Sequence, residues 1–159
     1  MRGSVVMTCA FDYQAEQMTP FLQSLRFHFD EEIVLFSDIA PEILAVPATT
    51  CKIRVIRNLP HRFGPAIDRF QWARDFLAQE SDITSVFFSD LRDVLFQRSP
   101  FSLAPKSSLE LFLEPWRIEH CPMNRKWLTE IYGIEAITPF LRREICCVGT
   151  MSSPLFMYQ

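Results

Sequence analysis

Short apolar runs that end in polar residues recur along the chain. They fall at residues 4–10, 32–38, 52–56, 83–88, 109–113 and 145–149. Continuous apolar runs of this length, rich in β-branched and aromatic residues, are typical of strands covered on both faces, as in a parallel sheet. The pattern therefore predicts six strands, and the run at 83–88 has the character of a central one.

Apolar residues at helical spacing lie between these runs. Thr19 and Pro20 predict a helix start, with Thr19 as the N-cap and Pro20 at the first helical position. A second predicted helix has one apolar face and one charged face. Its apolar face is formed by Phe63, Ala66, Ile67, Phe70, Ala73 and Leu77, and its other side carries Asp68, Arg69, Arg74 and Asp75. A third helix is predicted over 124–132, ending near Gly133.

The alternation of strands and helices predicts the fold class. It indicates an α/β domain with a Rossmann-like, mostly parallel sheet and helices on both faces. The sequence contains no internal repeat, low-complexity tract or linker, so we expect a single domain over residues 1–159.

Composition narrows the class of protein and of partner. The chain has 159 residues, of which 48% are hydrophobic, and its net charge is −3, which disfavours nucleic acid as a partner. No stretch approaches the roughly 20 apolar residues of a membrane span. The odd set of cysteines lacks zinc-like spacing and indicates reduced thiols in a cytoplasmic protein. These cysteines are Cys9, Cys51, Cys121, Cys146 and Cys147.

Polar clusters follow three of the predicted strands, at the strand ends where open α/β sheets bind ligands. Phe11-Asp12-Tyr13 follows the first strand, Asp38 the second, and Ser89-Asp90-Leu91-Arg92-Asp93 the fourth. Two carboxylates beside an arginine are suited to Mg²⁺ or Mn²⁺, whose coordination shell includes phosphate oxygens. Alternatively, Asp93 caps a short helix or turn and Arg92 pairs with a neighbouring carboxylate. The four scattered glycines disfavour a phosphate-binding loop or a dinucleotide site.

Several segments resemble a known enzyme family. Residues 86–101, VFFSDLRDVLFQRSPF, are similar to the metal-binding region of GT-A-type glycosyltransferases. Residues 9–13, CAFDY, and 20–26, PFLQSLR, are similar to the first strand and helix of that family, where the strand end meets the nucleoside. Residues 121–128 and 145–150 are similar to its later, acceptor-side segments. In the family motif the acids stand two apart, whereas here they stand three apart, which leaves open whether Asp90, Asp93 or both face the metal.

The resemblance implies an activity and a site. It implies that a nucleoside-diphosphate sugar is bound with Mn²⁺ or Mg²⁺ and that the sugar passes to an unknown acceptor hydroxyl. The implied metal ligands are Asp90 and Asp93, and the implied donor-binding residues are Phe11, Asp12, Tyr13, Arg69, Ser89 and Arg92. No catalytic base is identified. Members of the family continue beyond the matched segment, so we expect that a C-terminal part is missing here.

Two other interpretations of the sequence remain open. One is a non-catalytic or partner-dependent domain that binds a nucleotide sugar, and the other is a different metal-dependent nucleotidyl or phosphoryl transferase. Arg69 itself has a plainer alternative, a position on the solvated face of its helix. Whether the chain forms an oligomer is left open as well.

Overall fold

The computed structural model describes residues 3–44, 52–62, 64–102 and 109–152, with the backbone alone at 109–113 and 146–152. Contacts between residues divide the chain into two units, Met1–Glu110 with Gly149–Gln159, and Leu111–Val148. The single domain expected over residues 1–159 stays a prediction. The strands are β1 (Ser4–Ala10), β2 (Glu32–Ser37), β3 (Ile53–Ile56), β4 (Ser85–Ser89), β5 (Leu109–Arg117) and β6 (Glu144–Ser152). The helices are α1 (Ala15–Arg26), α2 (Pro65–Leu77), α3 (Pro122–Tyr132) and α4 (Ile134–Ile137), with 3-10 turns at Pro41–Ile43, Ile118–His120 and Thr138–Phe140.

The first unit is built on a parallel sheet with the order β3-β2-β1-β4. In its register, Val6 of β1 lies between Ile33 of β2 and Phe87 of β4. On the other side of β4, the end of β6 pairs in the antiparallel direction, with Gly149 opposite Ser89. The predicted α/β fold with a mostly parallel sheet is therefore confirmed for this unit.

Helices cover both faces of this sheet, as predicted. Because side chains alternate along a strand, Val6 of β1 packs with Phe21 and Leu25 of α1, whereas Val5 packs with Trp72 of α2. The side chains of β2 alternate in the same way between the cluster with α1 and the cluster with α2. Two separate apolar cores result, which explains why these strands are almost continuously apolar in sequence.

The helix α1 begins earlier than predicted. It starts at Ala15, and Pro20 lies inside it rather than at its first position. Gln17 Oε1 accepts the backbone N–H of Gln14 at 2.8 Å, which closes a capping box ahead of the helix. Thr19 is also not the N-cap, because its hydroxyl donates within the helix to the carbonyl of Ala15 at 3.1 Å. The buried apolar face of α1 offsets the backbone hydrogen bond that Pro20 cannot make.

The buried face of α2 differs from the predicted one. Ile67 and Phe70 are 55% and 47% exposed, whereas Asp68 and Arg69 are buried, and Trp72 fills the position against the sheet. Trp72 buries more apolar surface than Ile67 would, and its indole N–H has an acceptor, so the helix turns this side inward. The burial also excludes the solvated position considered for Arg69. Phe63, assigned to the apolar face in the sequence, lies outside the described residues.

The second unit contains α3, α4 and the strand segments beside them. The predicted third helix is confirmed. It ends at Tyr132 and is followed by Gly133, whose φ of 81° falls in the region that favours glycine. The strands β5 and β6 are neighbours and extend beyond the predicted runs at 109–113 and 145–149. None of the helices in the described part of the chain combines the length and apolar character needed to cross a membrane.

Candidate functional site

A cleft of about 340 Å³ lies in the first unit, at the carboxyl ends of β1 and β4. Every residue that the sequence predicts for the site, except Ser89, lines this cleft. These residues are Phe11, Asp12, Tyr13, Arg69, Asp90, Arg92 and Asp93. The cleft therefore brings together side chains from the segment after β1, from α2, and from the segment after β4.

The topology explains why these segments meet. The strands β1 and β4 are parallel neighbours, so the chain leaves both at the same edge of the sheet. Asp12 turns the chain between β1 and α1 with a φ of 60°, a left-handed conformation that Asp tolerates better than most residues. After β4, the exposed Asp90 precedes the buried Leu91, which packs in the cluster of α1. That anchor holds the acidic segment at the mouth of the cleft.

The acidic segment is held a second time further along the chain. The ring of Phe96 packs edge-on against Phe21 of α1 at 5.2 Å between centroids. The backbone N–H of Phe96 also donates to the hydroxyl of Ser24, at 3.1 Å. Apolar contact and hydrogen bonding thus fix both ends of the segment that carries Asp90 and Asp93, so these carboxylates sit on a supported loop.

An aromatic cluster fixes Phe11 at the other side of the cleft. Its ring lies 4.9 Å from that of His61 and 5.1 Å from that of Trp72, between centroids. Trp72 is itself held, because its indole N–H donates to the carbonyl of Pro60 at 3.0 Å. These contacts leave Phe11 half-buried, with part of its ring at the cleft. A ring in this position can stack on a flat ligand group.

An ion pair at the acidic end of the cleft joins α2 to the segment after β4. The Arg69 guanidinium donates to the Asp90 carboxylate, and the Arg69 side chain is 10% exposed while that of Asp90 is 53% exposed. The guanidinium also lies over the rings of Phe70 and Phe88, at 5.2 and 5.8 Å from their centroids. Its Nε has no hydrogen-bond partner among the described residues. The positive charge of the buried Arg69 is therefore balanced by an acid that faces solvent. The guanidinium can still attract a further anion.

Cys9 is a cleft residue that the sequence did not predict. Burial raises the pKa of its thiol, and the nearby Arg69 opposes that rise by its charge and a hydrogen bond. The thiol is consequently neutral near pH 7, beside the guanidinium. Strand alternation provides a signal that could have found it, since Cys9 and Phe11 lie two residues apart and share the α2 side of the sheet.

Asp68 is a second residue that the sequence did not single out for the site. It is 5% exposed, and its Oδ2 accepts the backbone N–H groups of Arg62 and Gly64 at 2.8 and 3.0 Å. These bonds tie the segment before α2 to the first turns of the helix. They fix the position of Pro65, where the helix begins at the cleft, and of Arg69, the residue that follows Asp68. No spacing in the sequence indicates this role.

The remaining predicted residues differ in their surroundings. Ser89 is 2% exposed and its hydroxyl donates to the Asp90 carbonyl at 2.7 Å, so it supports the loop rather than lining the cleft. Arg92 and Asp93 are exposed and line the cleft. In the described part of the chain, the Arg92 guanidinium has no ion pair and the Asp93 carboxylate has no hydrogen bond. Neither alternative role considered for them in the sequence is thus seen among those residues.

The predicted metal ligands can be compared with what a divalent cation needs. Among the described residues, no cluster of three or more His, Cys, Asp or Glu side chains has the arrangement of a metal site. Asp90 and Asp93 supply two carboxylates at one cleft. Mg²⁺ is commonly held by one or two carboxylates together with substrate phosphates and water. The pair fits a cation that arrives with a phosphorylated ligand, and the metal site stays a prediction.

Comparison with family models and with curated proteins gives no match for this chain. The resemblance to GT-A-type glycosyltransferases therefore stays a prediction.

Proposed function

We propose that the first unit binds a nucleoside-diphosphate sugar together with Mn²⁺ or Mg²⁺ and transfers the sugar to an acceptor hydroxyl, as a GT-A-like domain does. The observation that carries the proposal is the meeting, in one cleft of about 340 Å³, of an aromatic end after β1 and an acidic end after β4. The volume lies within the range of sites for small organic ligands.

The end of the cleft after β1 suits the nucleoside. Phe11 and Tyr13 are half-buried and line the cleft, so their rings can contact a base, and stacking on an aromatic residue is worth roughly 1–3 kcal/mol per base. Asp12 lies between them with an exposed carboxylate, which can accept hydrogen bonds from ribose hydroxyls. Because His61 and Trp72 hold Phe11, its ring is already placed before a ligand arrives.

The end of the cleft after β4 suits a diphosphate and its cation. Asp90 and Asp93 would hold the cation, and Arg69 and Arg92 would pair with phosphate oxygens. The N-terminus of α2, at Pro65, faces the same cleft and adds the positive end of a helix dipole. When bound, the cation would neutralise charge that develops on the departing diphosphate.

The residues at this end would act by positioning and by charge. Arg69 now pairs with Asp90, and an incoming phosphate would compete for its donors, which releases the carboxylate toward a cation. Leu91 and Phe96 keep the acidic segment in place during that exchange. Transfer to the acceptor also requires that its hydroxyl loses a proton, and no side chain is assigned as the base.

A thermal-shift panel tests the binding part of the proposal. Nucleoside diphosphates and their sugars would be compared with and without Mn²⁺. A ligand at about 100 times its Kd stabilises the folded form by about 2.7 kcal/mol, or roughly 5–10 °C for a chain of this size. We expect a metal-dependent shift for at least one ligand, lost in Asp90→Asn and Asp93→Asn.

Asp38→Asn is the matched control for this panel. Asp38 is an exposed acid at the same edge of the sheet, after β2, but it does not line the cleft. It should therefore retain the shift. The absence of a shift across the whole panel, or an equal loss in all three variants, would refute the proposed site.

Donor hydrolysis separates transfer from binding alone. The side chains that line the cleft are suited to binding, and none of them is assigned as a catalytic base. This favours a second candidate function, a non-catalytic domain that binds a nucleotide sugar. Release of free sugar in the presence of Mn²⁺, lost in Asp93→Asn, would support a transferase. Binding without any release would favour the non-catalytic candidate, and activity on a nucleoside triphosphate alone would favour a nucleotidyl or phosphoryl transferase.

A further inference from the structure

An apolar cavity of about 450 Å³, open to solvent along the exposed Tyr132, Ala136 and Phe140, lies within the second unit. None of its lining residues belongs to the proposed site. Leu128 and Tyr132 of α3, Ala136 and Ile137 of α4, and Phe140 of the following turn contribute to its lining. Its volume is in the range of small-ligand sites, which are mostly apolar with a few placed polar groups. The cavity therefore has the size and character of a site for a small apolar molecule.

Backbone hydrogen bonds hold the walls of this cavity. The N–H of Ile118 donates to the carbonyl of Arg143 at 3.0 Å, and the N–H of Glu119 to that of Leu141 at 2.9 Å. The N–H of Arg143 donates in turn to the carbonyl of Phe140 at 2.8 Å. Ile118, Phe140 and Arg143 all line the cavity, so these bonds tie together three parts of its rim. A preformed wall lowers the ordering cost of binding.

One charged residue, Arg143, is among those that line the cavity in the described part of the chain. It is exposed and has no ion pair among the described residues. Arginine lays its alkyl stem along apolar surface and keeps the guanidinium in water, so a cation stands at the water side of an apolar space. A ligand that matches both features has an apolar body and one anionic end, and a carboxylate fits the planar guanidinium in particular.

We propose that this cavity binds a small amphipathic carboxylate, with its alkyl or aryl body among the apolar side chains and its carboxylate on Arg143. The apolar lining supplies affinity in proportion to the area covered, and the guanidinium selects the anionic end. This site is independent of the function proposed for the first unit.

Calorimetric titration of the whole chain with hexanoate, octanoate and 1-octanol tests the proposal. One buried methylene corresponds to about a fourfold change in affinity, so octanoate should bind about fifteenfold more tightly than hexanoate. Octanoate should also bind about fivefold more tightly than 1-octanol, because the alcohol lacks the charge that Arg143 pairs with. Failure of octanoate to bind, or a preference for the alcohol, would overturn the proposal.

Two variants and a control locate the site. Arg143→Gln should remove the preference for octanoate over 1-octanol, whereas Arg142→Gln should keep it, because Arg142 is an exposed neighbour that does not line the cavity. Ala136→Phe should abolish binding of all three compounds by filling the space. Because Ala136 is exposed, we expect the variant to keep its fold. Equal effects of the two arginine variants, or undiminished binding in Ala136→Phe, would overturn the proposal. Self-association that Ala136→Phe abolishes would overturn it in favour of a second copy as the occupant.

Discussion

The carboxylate of Asp68 holds the segment that leads into the candidate cleft, and Asp68→Ala would remove it. Asp68 is 5% exposed and accepts the backbone N–H groups of Arg62 and Gly64 at 2.8 and 3.0 Å. A hydrogen bond to a charged group contributes about 1.5–3 kcal/mol. Two such bonds contribute roughly 3–6 kcal/mol to the free energy of unfolding. Because water can reach the exposed Arg62 in the variant, we expect the free energy of unfolding to fall by only about 2–3 kcal/mol.

Urea unfolding followed by tryptophan fluorescence measures this loss. In a background with Trp116→Phe and Trp127→Phe, Trp72 is the remaining tryptophan, and it lies on α2 with Asp68. With an m-value of about 2 kcal/mol/M, the midpoint should fall by roughly 1 M. Asp68→Asn keeps an oxygen acceptor and should lose about 1 kcal/mol.

Asp75→Ala is the matched control for Asp68→Ala. It makes the same replacement in the same helix, so differences in helix propensity largely cancel. The Asp75 side chain is 56% exposed and bonds to other exposed side chains, so its loss should change stability by about 0.5 kcal/mol or less. If Asp68→Ala destabilises the first unit no more than Asp75→Ala does, the carboxylate does not hold the segment before α2.

Three further outcomes are expected. Phe21→Ala should destabilise the first unit by about 3–5 kcal/mol in the same unfolding assay, because Phe21 is 1% exposed in the α1 core. An NMR titration should find the pKa of Asp75 below its ordinary value, owing first to the hydrogen bond from Gln71, and Gln71→Ala should raise it. Because that pKa is depressed on folding, the small stabilisation from Asp75 is present at neutral pH and is lost as pH falls through the folded pKa. Hydrogen bonds from Asn124 lower the pKa of Cys121, whereas burial raises the pKa of Cys9. Cys121 should therefore react with iodoacetamide at lower pH than Cys9, as followed by mass spectrometry. Equal pH profiles for the two thiols would contradict this.

Local sequence patterns predicted the strands better than they predicted the faces of the helices. The strand β1 occupies the predicted residues. A continuous apolar run between polar residues is stable mainly as a strand that is covered on both faces. For α2, apolar spacing placed Ile67 and Phe70 inward, yet both are about half exposed and Arg69 is buried. A 13-residue helix with aromatic residues on several sides can turn more than one of them inward, and contacts with the sheet decide which.

The candidate site was predicted as a set of residues but not as an arrangement. Parallel strand ends meet at one edge of a sheet, so the sequence could place Phe11, Asp12 and Tyr13 near Asp90 and Asp93. It could not show that Arg69 pairs with Asp90, that Cys9 lies beside them, or that Ser89 supports the loop rather than lining the cleft. Those facts depend on side chains from elements far apart along the chain.

The sequence by itself determined the alternation of strands and helices, the polar strand ends and the stop of α3 at Gly133, because each of these follows from neighbouring residues and local backbone preferences. Only the tertiary structure decided where α1 begins, which side of α2 faces the sheet, and that the Asp68 carboxylate binds the segment before its helix. In these cases several local solutions have similar energies. The choice among them is made by burial and by hydrogen-bond partners that the folded chain brings together.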